Sequence, residues 1–124
     1  VTDAKSVKSV RELILSVNDL PRENVHVPEW DVTLCVQGLT GKQREEFESA
    51  MLVRKGKRYD VDMRDMRARL VALAVVDADT GERIFNDADI PKLSEKSGAA
   101  LERIVSVAQR LSGLDEGALY DEKN

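Results

Sequence analysis

Met63-Arg64-Asp65-Met66-Arg67-Ala68-Arg69-Leu70-Val71-Ala72-Leu73-Ala74-Val75-Val76 is the stretch that decides the fold. Met63, Met66, Leu70 and Leu73 recur at intervals of three and four, which is one face of an α-helix, and Asp62 is placed to cap its start. Beyond Leu70 every side of the stretch is apolar. No face is then left for water, so this helix belongs at the centre of a core.

Working outward toward the C-terminus, Asp77-Ala78-Asp79-Thr80-Gly81 is turn chemistry between Val75-Val76 and Arg83-Ile84-Phe85, giving a small hairpin or a helix-to-strand corner. Asn86 to Leu93 has the form of a short capped helical turn. Ser94 or Ser97 then opens a long helix through Leu111 whose buried stripe is Leu101, Ile104, Val105, Ala108 and Leu111. Gly113 is placed to end that helix in a left-handed conformation, and Leu114 supplies the apolar contact that often follows. Residues 115–124 read as a flexible acidic tail.

Toward the N-terminus, Thr40-Gly41-Lys42-Gln43 has the spacing of a reciprocal helix cap and predicts a helix from Gly41 to about Val53, with Phe47, Ala50 and Met51 facing inward. Arg54-Lys55-Gly56-Lys57-Arg58 breaks it and reads as a solvated interhelical loop. Before it, Val25 and Val27, then Val32, Leu34 and Val36, alternate with polar residues around Pro28-Glu29-Trp30-Asp31, which predicts two antiparallel strands. Pro28 has no amide hydrogen to give to a ladder and must sit at a strand end or an edge. Val7, Val10, Leu13 and Ile14 space a short amphipathic helix over Ser6 to Val17. The expected class is α+β: a small antiparallel sheet packed against about four helices, with the C-terminal two-thirds rich in helix. Residues 1–114 are expected to form one domain, because a chain of 124 residues is too short for two ordinary ones.

Composition narrows the function. Apolar residues at 42% and charged residues at 34% supply a core and a solvated exterior, against disorder. A formal charge of −4 opposes a phosphate backbone, and Trp30, Phe47, Tyr59, Phe85 and Tyr120 are too scattered to form a base-stacking platform. No nucleic-acid partner is expected. The longest apolar run, Leu70 to Val76, is far too short to cross a bilayer, and the first residues lack a signal-peptide core. Cys35 is the lone cysteine, so no intrachain disulfide can form and a reducing cytoplasm is the natural compartment.

Catalytic and metal chemistries fare poorly. His26 and Cys35 lie on opposite arms of the predicted hairpin, but a symmetric turn at Glu29-Trp30 pairs His26 with Thr33 instead. Asp77-x-Asp79-x-Gly81 has the beginning of a calcium loop, yet Gly81 and Ala88 stand where oxygen ligands are required. One His and one Cys do not furnish a zinc site. No enzyme activity and no cofactor are expected. The candidate partner-binding residues are basic: Arg54, Lys55, Lys57 and Arg58, with Arg64 and Arg67 continuing the positive character, a docking site for an acidic partner helix.

Val27-Pro28-Glu29-Trp30, Val36-Gln37-Gly38-Leu39-Thr40-Gly41 and Arg44-Glu45-Glu46-Phe47-Glu48 resemble the small tail assembly chaperones of siphophages. Arg67-Ala68-Arg69-Leu70-Val71-Ala72-Leu73, the turn up to Phe85, and Glu95-Lys96-Ser97 running into Ala108-Gln109-Arg110-Leu111-Ser112-Gly113-Leu114 are similar to the same group. The likeness covers about residues 10 to 114, and its motifs bear on fold rather than on a catalytic site. It implies a protein of the host cytoplasm that binds the phage tape measure protein, prevents its aggregation and helps tail tube protein polymerise around it. It also implies, as a further partner, a frameshift-extended version of the chain; weak contacts summed along one long client add self-association as an expectation. A structural neck or head–tail connector component and a small protein-binding regulator are the alternatives.

Overall fold

The computed structural model describes residues 9–114. Helix α1 (Val10–Ser16) leads into strands β1 (Arg22–Val27) and β2 (Val32–Gln37), then helix α2 (Gly41–Ala50). Strands β3 (Leu52–Lys55) and β4 (Arg58–Val61) precede helix α3 (Met66–Ala74) and the two-residue strand β5 (Val75–Val76). A 3-10 turn (Asp87–Asp89), helix α4 (Ile90–Ser94) and helix α5 (Gly98–Leu111) complete the order. The class is α+β, as expected, with two antiparallel sheets: β1-β2-β5, and β3-β4 by itself.

Helix α3 is the centre. Leu70, Val71, Ala72, Leu73 and Ala74 are all buried, and Val75 and Val76 carry the apolar run into the sheet by pairing with Val36 and Cys35 of β2. Helix α5 lies against α3 and against β1 and β2, burying Leu101, Ile104, Val105 and Ala108. Leu111, expected in that stripe, is half-buried, and Ala100 joins it. Arg83 Nε donates to the Ala72 carbonyl at 2.9 Å, answering one acceptor that the helix end leaves open.

Several local devices match their sequence signals. Gln43 N donates to Thr40 Oγ1 and Thr40 N to Gln43 Oε1, both at 3.0 Å, which is the reciprocal cap of α2. Asp77 Oδ1 accepts from the amides of Asp79 and Thr80 in the turn before Gly81. Ser97 caps α5, and Gly113 ends it at φ +72 with Leu114 buried. Gly38 is required for a different reason: a Cβ there would lie 2.7 Å from the Leu111 carbonyl oxygen, so only glycine lets β2 and the end of α5 approach.

Four expectations need correction. The first helix is described only from Val10, after the Ser9 cap, and none of its residues is buried. Helix α2 stops at Ala50, which is exposed, because Leu52 and Val53 enter a strand. The basic run expected as a solvated loop is a β-hairpin, with Gly56 at φ +66 in its turn. Asp62 does not cap α3; the helix begins at Met66 after Asp65, which sits at φ +60 with its carboxylate accepting from Ser94 Oγ at 2.6 Å. The expected tail, 115–124, lies outside the described residues.

Leu70 and Leu52 separate the core from its outworks. Leu70→Ala should lower stability by about 2–5 kcal/mol through lost burial and the cavity left behind, whereas Leu52→Ala should change it by less than about 0.5 kcal/mol. Thermal and urea unfolding followed by circular dichroism measure both.

Candidate partner-binding surface

The β3–β4 hairpin is set by alternation. Leu52 pairs with Val61, Val53 with Asp60, Arg54 with Tyr59 and Lys55 with Arg58. Successive side chains of a strand point to opposite faces, so Leu52, Arg54, Tyr59 and Val61 share one face and Val53, Lys55, Arg58 and Asp60 the other. The first face stands in solvent: Leu52 is 52%, Tyr59 66% and Val61 56% exposed. Arg54 closes over Tyr59, its guanidinium carbon 5.8 Å from the ring centroid, and its Nε donates to the Gly56 carbonyl at 3.0 Å.

The second face borders a shallow depression of about 540 Å³ lined by Val53, Lys55, Asp60, Val61, Asp62, Met63 and Arg64. Its charges are already matched within the chain. Lys55 Nζ lies 3.9 Å from Asp60 Oδ2, and Arg64 grips Asp62 through Nε at 3.0 Å and Nη2 at 2.6 Å. Those hydrogen bonds from the Arg64 side chain, followed by one from its backbone amide, hold the Asp62 carboxyl down at about 2. The Asp62 amide donates to the Met51 carbonyl at 2.6 Å, which closes the base of the hairpin onto the end of α2.

A second apolar surface lies on α1, where Val10, Leu13, Ile14 and Leu15, with Val17 just beyond, are exposed. Its helix is held by the Ser9–Glu12 reciprocal cap rather than by burial. No residue of α1 or of the β3–β4 hairpin belongs to the buried hydrophobic cluster.

Elsewhere the exposed charges tie elements of the body together. Arg103 Nε donates to Glu29 Oε1 at 2.9 Å and Arg110 Nη2 to Glu23 Oε1 at 2.8 Å, joining α5 to the first hairpin. The Arg103 hydrogen bond also lowers the Glu29 carboxyl below its ordinary range. In that hairpin His26 pairs with Thr33, their Nδ1 and Oγ1 being 3.2 Å apart, and Cys35 pairs with Asn24. The symmetric turn therefore does not set the two groups considered as a thiol dyad directly opposite one another. No group of three or more metal-binding side chains occurs among the described residues.

Residues 9–124 match the phage tail assembly chaperone family. The chain belongs to that family. No curated protein gives a match. Among solved structures, the tail assembly chaperone of bacteriophage HK97 is similar in fold, with a TM-score of 0.58 at 15% identity over 87% of this chain and 94% of that one.

For this family member, the six basic residues singled out from the sequence are spread over the hairpin, its base and α3, with Lys55 and Arg64 lining the same depression. Arg54, Lys55, Lys57 and Arg58 lie on the projecting hairpin. Arg64 is bound to Asp62 at its base, and Arg67, on α3, donates to Glu102 of α5 at 2.7 Å. What sequence reasoning missed is the apolar face of Leu52, Tyr59 and Val61. The signal was present as alternation on either side of Gly56-Lys57, but short strands full of Arg and Lys have weak strand propensity.

The Asp62–Arg64 contact sets a pH dependence. A carboxyl lowered in the folded state contributes stability above its unfolded pKa near 4, and the contribution is lost as pH falls toward about 2. Side-chain carboxyl NMR should place the Asp62 midpoint near 2 and return it toward the ordinary aspartate range in Arg64→Ala.

Proposed function

We propose that this chain binds the tape measure protein of its phage in the host cytoplasm, keeps it from aggregating and promotes assembly of tail tube protein around it. Membership of the tail assembly chaperone family supports the reading. The supporting structural observation is that apolar side chains stand exposed on α1 and on the β3–β4 hairpin while the hydrophobic core is filled without them. A protein that must cover apolar helical faces of a client needs such surface, and it needs it where use by a partner leaves the fold intact.

On this reading residues 1–114 form the working domain and 115–124 an acidic tail. Hairpin cations Arg54, Lys55, Lys57 and Arg58, together with Arg64 and Arg67, contribute to client contact. Several copies act along one long client, so that weak single contacts sum by avidity. A frameshift-extended version of the chain is a further partner, recruiting tube protein.

Co-expression tests this directly. The tape measure protein of the same phage should move from the pellet to the soluble fraction and co-purify when the chain is present, and the chain should be absent from purified virions. An insoluble client with no co-purification, or stoichiometric retention in virions, would contradict the chaperone role.

A further inference from the structure

The β3–β4 hairpin is positive in an acidic chain. Residues 52–61 hold four cations, Arg54, Lys55, Lys57 and Arg58, against one carboxylate, Asp60, while the whole chain carries −4. Lys55 is partly matched by Asp60, and Arg54 is turned over Tyr59. The remaining positive character sits on Lys57 at the turn and on Arg58 of the opposite face, while Arg54 borders the exposed face of Leu52, Tyr59 and Val61. We propose that this face is a docking site for one turn or two of an amphipathic helix whose apolar stripe is flanked by carboxylates. The inference rests on the chaperone reading and names the chemistry of the client segment.

Face and charge together select that occupant. Strand pairing spaces the two strands by about 5 Å and successive same-face residues by about 7 Å. An i, i+3, i+4, i+7 stripe of a helix laid across the hairpin can therefore meet Leu52, Tyr59 and Val61 at once. The aromatic ring provides the largest contact, and Arg54, held above it, presents its outward guanidinium N–H groups to a carboxylate at the rim. Lys57, in the turn next to that rim, extends the same preference, while Arg58 lies on the other face. Addition of an extended segment to a hairpin edge is the less suited mode, because Lys55 and Arg58 crowd the strand ends with charge.

The test uses two designed 18-residue helical peptides with the same leucine stripe, one flanked by Glu and one by Lys. Each is labelled and titrated with the full chain by fluorescence anisotropy at low and moderate salt. Electrostatic complementarity predicts roughly tenfold tighter binding of the Glu-flanked peptide, narrowing as salt is raised. Tyr59→Ser should weaken both peptides, and Arg54→Glu with Lys57→Glu should erase the preference between them. Circular dichroism melting checks that the variants keep the fold, as expected for residues outside the core.

Equal binding of the two peptides, or unchanged binding to Tyr59→Ser, overturns the proposal. So does a Tyr59→Ser variant that alters only the sedimentation mass of the free chain, since the face then belongs to a second copy. A parallel co-expression arm separates the two levels. If the unaltered chain and Tyr59→Ser solubilise the tape measure protein equally, the docking face is wrong and the chaperone role stands. If the unaltered chain fails to solubilise it, the chaperone role itself falls.

Discussion

Burial of α3 on every side from Leu70 onward is the constraint from which the rest follows. A helix with Leu70, Val71, Ala72, Leu73 and Ala74 all out of water needs neighbours all round. The chain supplies α5 against it, the β1-β2-β5 sheet continuing from its own C-terminal end, and α4 before α5. The same apolar run that forms the end of the helix becomes β5, so helix and sheet are fixed to one another through consecutive residues, Ala74 to Val75. Gly38, Arg83 and the Arg103–Glu29 and Arg110–Glu23 contacts then hold the periphery to this centre.

A core closed in this way leaves other segments free for another task. The β3–β4 hairpin and α1 are both stabilised locally: one by four cross-strand pairs and the Asp62 amide bond to Met51, the other by its Ser9–Glu12 cap. Neither contributes to the buried cluster. A two-stranded hairpin is marginal in water by itself, and exposed apolar faces on such elements are what a partner would cover. Binding there changes surface, not packing.

Much of the fold was legible because its signals are redundant. In α3 and α5 the spacing of apolar residues, the Ser97 cap and the Gly113 terminator agree with one another, and in the first hairpin a symmetric turn fixes the register that pairs His26 with Thr33. The second hairpin was hidden because Arg54, Lys55, Lys57 and Arg58 look like a solvated loop, and its alternation covers only four residues per strand. Asp62 misled for a related reason: an aspartate ahead of an apolar periodic run reads as a cap, but Arg64 two residues on captures the carboxylate first. The basic residues were visible in the sequence, whereas the apolar face they surround became visible only once the strand pairing was known.

The central claim is that client contact falls on surface outside the core. Hydrogen–deuterium exchange of the chain alone and in complex with the tape measure protein reads it most directly. The account predicts slowed exchange over β3–β4, Leu52 to Val61, and over α1, with α3 and α5 unchanged. Protection confined to the β1-β2-β5 sheet or the α5 surface, with the hairpin exchanging as in the free chain, would contradict it.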